Sequence, residues 1–323
     1  MWHSAIIRGA VSQSTQDYYY RRHPATGTTS GALAVLMRHF GQQYDIAAVT
    51  PLDLARFRMW LLTEPINRRK PGHPLAPATC NTYLKGVRSF FRRLHRYGLI
   101  DLDPAEDLML IPRPDPNPRT FTAAELRLLV EAAAANPIKL VAVRNTAMVW
   151  SLAETGCRAH GLTTMQMEHL DRERWTATVW EKSKGGRRAR PVFWSSEIGR
   201  TALLRWLEIR PVPAATVFYA VCNTHQDRYL PHCVRCQQRW GQPLTPNGLG
   251  QIIRRLCKRA GIPSRGPHAI RHSVGKELIR SGMSLGAVSQ ILGHRDPALT
   301  VLYYGRLESD ELGELHSRHI WIE

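Results

Sequence analysis

The stretch His268-Ala269-Ile270-Arg271-His272, followed by Ile291-Leu292-Gly293-His294 and, nine residues after His294, by Tyr303, decides how this 323-residue chain is read. His268 and Arg271 are three positions apart, a spacing that sets both on one helix face. Gly293 ends a short apolar helix, because glycine takes the left-handed conformation at a helix C-terminus at little cost. Asp296-Pro297 then opens another, with proline near the first helical position. Upstream, Thr155-Gly156-Cys157-Arg158 closes the apolar stretch Ala147 to Ala153 in the same way, and the turn at Gly156 aims Arg158.

Two guanidiniums, two imidazoles and a phenol suit one kind of chemistry. A phosphodiester is an anion that repels an attacking oxygen unless fixed donors hold its non-bridging oxygens, and a planar guanidinium fits that bidentate task. Arg158 and Arg271 are the candidates. A tyrosine hydroxyl has an unperturbed pKa of about 10, so Tyr303 must give up its proton as it attacks. His268 and His294 can act as base or as phosphate donors. The leaving deoxyribose oxygen needs a proton, which Lys184 on a basic hairpin can deliver as general acid; Lys182 competes for that role.

These pieces, in this order, resemble the tyrosine recombinase family (phage integrase, or lambda-integrase-like). Its signature is an arginine after a Thr-Gly turn, a hairpin lysine, His-x-x-Arg, Leu-Gly-His and a nucleophilic tyrosine, and the resemblance covers nearly the whole chain. It implies that Arg158, Lys184, His268, Arg271 and His294 assist Tyr303 in forming a 3′-phosphotyrosyl link to DNA. Tyr304 is the competing nucleophile, but the spacing from His294 favours Tyr303. The chain also departs from the family. Gly161 stands where relatives usually carry an acidic residue three positions after the first arginine, which leaves the group that orients Arg158 unassigned. Ala269 stands where many have an aspartate.

Composition points the same way. The 44 Lys and Arg against 26 Asp and Glu leave a formal charge of +18, which suits a polyanionic partner, here double-stranded DNA. No apolar segment approaches the length of a membrane span and no signal peptide is visible, so the expectation is a soluble, cytoplasmic protein without a membrane partner.

Four prolines at alternate positions in Ile111-Pro112-Arg113-Pro114-Asp115-Pro116-Asn117-Pro118 favour an extended strap. The domains are therefore read as 1–110, a linker at 111–119, and 120–323. Residues before about 25 read either as a flexible terminus or, through Tyr18-Tyr19-Tyr20-Arg21-Arg22, as a segment that touches nucleic-acid backbone or bases. Thr50-Pro51-Leu52-Asp53 starts a short helix, and Pro77 to Tyr97 forms a longer one with Leu84, Val87, Phe90, Phe91 and Leu94 inward. Lys85, Arg88, Arg92 and Arg93 form its polar, DNA-facing side. Thr122-Ala123-Ala124-Glu125 is a capping box opening a helix to about Ala135. Residues 175–194 alternate around Gly185-Gly186 as a hairpin that also carries Arg187 and Arg188. Asn247 to Ala260 reads as a helix with Ile252, Ile253 and Leu256 inward and Arg254, Arg255, Lys258 and Arg259 outward for phosphate contacts.

Of the six cysteines, Cys80, Cys157 and Cys257 read as buried apolar groups in a reducing compartment. Cys222-x-x-His225 and Cys233-x-x-Cys236 differ, since two ligand pairs at knuckle spacing supply a tetrahedral structural zinc site in an insertion at 222–242. Catalysis itself is expected to need no cofactor.

The fold expected is α+β and mostly helical: an N-terminal helical core-binding (SAM-like) bundle, then a mixed catalytic domain with a small antiparallel sheet. By resemblance, four protomers act on two paired DNA sites, with room for an accessory directionality protein; separately, the apolar Leu315, Ile320, Trp321 and Ile322 suit Leu312 to Ile322 to docking on a neighbour or packing on its own domain. Two other readings stay open, a non-enzymatic DNA-binding accessory protein and a type IB topoisomerase-like strand relaxer.

Overall fold

A computed structural model describes residues 21–22, 29–41, 45–64, 66, 72–112, 119–183, 186–211, 214–221, 233–234, 237, 241–294 and 301. The chain divides into two compact units, Met1–Pro114 and Asp115–Glu323. Of the strap expected at 111–118, residues 113–118 lie outside the described residues, as does the tail from Leu312 to Ile322.

Among the described residues, the first unit begins with a two-stranded antiparallel ribbon, β1 (Arg21–Arg22) and β2 (Thr29–Ser30), pairing Arg21 with Ser30 and Arg22 with Thr29. Of the segment before about residue 25, only Arg21 and Arg22 are among the described residues. Among the described residues, three α-helices follow: α1 (Ala32–Phe40), α2 (Pro51–Thr63) and α3 (Pro77–Arg96). The Thr50 hydroxyl accepts from the Asp53 amide at 3.2 Å while the Asp53 carboxylate accepts from the Thr50 amide at 3.0 Å, so two orphan donors of α2 are satisfied reciprocally. Helix α2 buries Leu54, Phe57 and Leu61, and α3 buries Leu84, Val87, Phe91 and Leu94, all on single stripes. Each such side chain contributes about 1.5–3 kcal/mol by leaving water. The Asn81 amide, buried on α3, bonds both the N–H and the C=O of Ile111 at 2.8 Å, anchoring the chain where the unit ends.

The second unit contains α4 (Ala123–Ala134), α5 (Lys139–Thr155), α6 (Ala159–Thr163), strands β3 (Leu170–Asp171), β4 (Thr176–Ser183) and β5 (Gly186–Phe193), then α7 (Glu197–Ile209), α8 (Pro246–Arg259), α9 (Pro267–Arg280) and α10 (Leu285–Leu292). The sheet is antiparallel in the order β3-β4-β5. Ser183 pairs with Gly186, so Gly186 belongs to β5, while Lys184 and Gly185 lie outside the described residues.

Alternation along the hairpin buries Ala177, Val179 and Glu181 on β4, with Arg190 and Val192 on β5. The core beneath includes Met148, Leu152, Leu162, Trp194, Trp206, Phe218, Ile253 and Ile270. Buried indoles find partners: Trp194 Nε1 donates to Ser151 Oγ at 3.1 Å and Trp206 Nε1 to the Val217 carbonyl at 2.8 Å. Cys80, Cys157 and Cys257 are buried free thiols. Among the described residues, no helix is long and apolar enough to cross a membrane.

Candidate active site

Helix α5 ends at Gly156, whose φ of 54° is left-handed and whose N–H donates to the Leu152 carbonyl at 3.0 Å. Glycine is required here twice over, since a Cβ would also lie 2.9 Å from Leu292 Cδ2. The turn delivers Arg158 to the start of α6. Helix α10 ends in a Schellman arrangement, with Gly293 N–H on the Gln290 carbonyl at 3.0 Å and His294 N–H on the Ser289 carbonyl at 2.9 Å. His294 is thereby held directly after the helix end.

Arginines bind the carbonyls that these helix ends leave exposed. Arg271, from α9, donates Nη1 to the Gly156 carbonyl at 2.7 Å and Nη2 to the Leu292 carbonyl. Arg190, from β5, donates to the Ile291 carbonyl. Guanidiniums at the negative end of a helix satisfy orphan acceptors and oppose the dipole together. At Gly293 a Cβ would meet Arg190 Cδ at 2.6 Å, so the glycine of Leu-Gly-His both turns the chain and makes room for an arginine.

Glu181 stands at the centre. Its Oε1 accepts from the Arg158 amide at 2.8 Å and from Arg190 Nη2 at 3.3 Å, and lies 4.0 Å from Arg271 Nη1, while Oε2 pairs with Arg158 Nη1. Burial would push its carboxyl up, but the Arg190 charge, the Arg158 N–H and the charges of Arg271 and Arg158 outweigh it and hold the group below the usual carboxylate range. Three guanidiniums around one carboxylate leave a formal surplus of two positive charges (3 − 1) in this cradle. Arg271 is 4% exposed and Arg158 31%, so one is locked inside and the other reaches the surface.

The imidazoles complete the arrangement. Burial, then the charges of Arg271 and Arg158, push His294 down to about 4. Burial, then His268 and Arg271, push His272 down to about 4 as well. Loss of hydration at the ring, then the charges of Arg271 and Arg158, lower His268 below the usual histidine value, with Glu181 opposing them. At neutral pH His272 and His294 are thus uncharged, each with one N–H and one lone pair.

Arg158, His268, Arg271 and His294 therefore gather at the meeting of α5, α6, α9 and α10. Lys184 and Tyr303 lie outside the described residues, as do the side chains of Lys182 and Arg187. The basic residues expected on outer faces divide between the units. Arg254, Arg255, Lys258 and Arg259 are exposed on α8, and Arg188 on β5; Lys85 and Arg92 are exposed on α3, with Arg88 and Arg93 half-buried. Of the four zinc candidates, Cys222, His225 and Cys236 lie outside the described residues, and Cys233 is a half-buried free thiol. No cluster able to hold a metal ion occurs among the described residues. Sequence reasoning missed Glu181, Arg190 and His272. The signal was present for two of them: Glu181 and Arg190 fall on the inward phase of strands that alternate with a period of two, where a charge demands a partner.

The family model described as Phage integrase family matches residues 119–309. Tyrosine recombinase XerC of Rhodospirillum centenum is 29% identical over 300 residues, covering 92% of this chain and 78% of the relative. Tyrosine recombinase XerC of Lactobacillus leichmannii is 27% identical over 234 residues, covering 72% and 73%. Among solved structures, the Tn1549 transposon integrase in complex with transposon right end DNA superposes with a TM-score of 0.67 at 19% identity, covering 97% of this chain and 95% of that one. The XerH site-specific recombinase bound to its difH substrate superposes with a TM-score of 0.62 at 20% identity, covering 90% and 78%.

Proposed function

The chain belongs to the phage integrase family and is a tyrosine recombinase, a DNA strand transferase, and from that premise we propose that Tyr303 is its nucleophile and that Arg158, Arg271, His268, His294 and Lys184 serve the transfer. The observation that carries the assignment is the cradle itself, where Arg158 and Arg271 are fixed by Glu181 and by helix-end carbonyls, within electrostatic reach of both imidazoles.

Tyr303 Oη attacks the scissile phosphorus, and the 5′ oxygen of the adjoining nucleotide leaves with a proton from Lys184. Arg158 and Arg271 bind the non-bridging oxygens, and the surplus positive charge stabilises the pentacoordinate phosphate more than the ground state. His268 and His294 supply a lone pair for the phenol proton and an N–H for a phosphate oxygen. The 3′-phosphotyrosyl ester keeps the bond energy, so a 5′ hydroxyl of another strand religates by the reverse path without a nucleotide cofactor. Double-stranded DNA is the partner, gripped by the basic faces of both units, and four protomers on two paired sites allow strands to be exchanged. A closed Cys/His zinc set at 222–236 would leave no open position for substrate, so zinc there would serve the fold rather than this chemistry.

The test uses duplexes from the DNA flanking this protein's own gene, nicked beside each candidate scissile phosphate so that the cleaved end diffuses away. Wild type and Tyr304→Phe are expected to accumulate a covalent protein–DNA adduct, and Tyr303→Phe none. Tight binding to a verified site with no adduct would favour the accessory-protein reading, and an adduct retained in Tyr303→Phe would move the nucleophile elsewhere.

A further inference from the structure

Arg158 is the one cradle arginine with substantial exposure, yet its backbone and its side chain are bound to the same group: Glu181 accepts from the Arg158 amide with one oxygen and from its guanidinium with the other. A single carboxylate thus sets both where the chain stands at residue 158 and which way the fork points. Glu181 is itself 5% exposed and cannot swing, because Arg190, 6% exposed and tied to the Ile291 carbonyl, holds it from the opposite strand.

The space that Glu181 occupies is the space that Gly161 lacks a side chain to fill. A Cβ at residue 161 would lie 3.1 Å from Glu181 Oε1, 3.3 Å from its Cγ and 3.5 Å from Val179 Cβ. Residue 161 is three positions after Arg158 along the chain that forms α6, so its side-chain direction converges on the Arg158 face that the carboxylate now covers. An acid on the helix and an acid on the strand compete for one point, and this sequence places it on the strand.

We propose that Glu181 is the positioning carboxylate of this active site, seated in the gap left by Gly161 and anchored by Arg190, and that it acts by presenting Arg158 to the phosphate. This rests on the strand-transfer reading above. Glu181 touches no reacting atom, so its removal should slow the chemical step more than it weakens DNA binding. The role should also be transferable to residue 161, which a merely structural ion pair would not be.

The experiment measures adduct formation on the nicked duplex at saturating concentration, with duplex affinity read separately by gel shift. E181A is expected to slow adduct formation about 100-fold, with E181Q between it and wild type, and with affinity changed by less than about threefold. In the E181A background, G161D or G161E is expected to recover about tenfold in rate, whereas G161D alone, with two carboxylates crowding one site, is slower than wild type. If E181A proves insoluble, E181Q, which keeps the shape and loses the charge, carries the same comparison. An E181 variant that is folded and forms adduct within about threefold of wild type overturns the proposal, as does loss of affinity in step with rate, or the absence of any recovery in both double variants. Wild type that forms no adduct on any duplex overturns the strand-transfer reading instead, and this proposal with it.

Discussion

Arg271 on α9 and Arg254 on α8 carry the same charge under opposite constraints. The first is 4% exposed, with its Nη atoms bound to the Gly156 and Leu292 carbonyls. The second stands exposed on a face shared with Arg255, Lys258 and Arg259. A buried guanidinium tied at both ends cannot reorganise as charge develops, so its contribution appears in the transition state. An exposed one is hydrated, mobile and screened, so its contribution appears in ground-state affinity and declines with salt. On the proposed reading, the fold separates cations that act on the reacting phosphate from cations that hold the rest of the duplex.

That separation is open to direct attack. R271K keeps the charge but cannot hold two helix-end carbonyls with a planar fork, and is expected to slow adduct formation about 100- to 1000-fold with little change in duplex affinity. Single-turnover rates beside gel-shift affinities measure both, and a variant that lost affinity with its rate intact would place Arg271 with the exposed group. R254A/R255A is expected to do the reverse, weakening duplex binding about tenfold and lowering the slope of log affinity against log salt by about 2 while leaving the saturated rate intact. A slowed chemical step in that variant would erase the contrast.

The imidazoles give the smallest effect, and a signed one. His272 and His294 have folded-state values of about 4 against an unfolded value near 6.5. The unfolded chain therefore binds more protons between these limits, so their contribution is fully present above about pH 6.5 and is lost as pH falls toward 4. The midpoint of thermal unfolding of the DNA-free protein should drop across that window, and H272N should flatten the drop. An unchanged slope in H272N would exclude His272 from the coupled set.

Much of this was legible beforehand because it is local. Thr50 and Asp53, or Thr122 and Glu125, announce helix starts through contacts three residues apart, and the structure places α2 and α4 where those capping boxes begin. The stripes of α3 and α8 follow from a 3.6-residue period, which sorts Ile253 and Leu256 inward and Arg254 and Arg255 outward. Gly156 and Gly293 were readable as helix ends for the same reason. The further demand on each, from Leu292 and from Arg190, was not, since those neighbours are remote in the chain.

From the sequence alone came the helices, the hairpin, the residue types at the site and the chemistry they suit, all of which rest on interactions spanning a few residues or on the intrinsic properties of side chains. Tertiary structure decided which groups those side chains meet. Arg158 and Glu181 are separated by 23 residues, Arg190 and Ile291 by 101, and Arg271 and Gly156 by 115. No periodicity encodes such pairings. They arise because two helix ends and a strand converge, because buried carbonyls and a buried carboxylate must be satisfied there, and because a glycine at residue 161 leaves the strand's acid the room to reach the arginine.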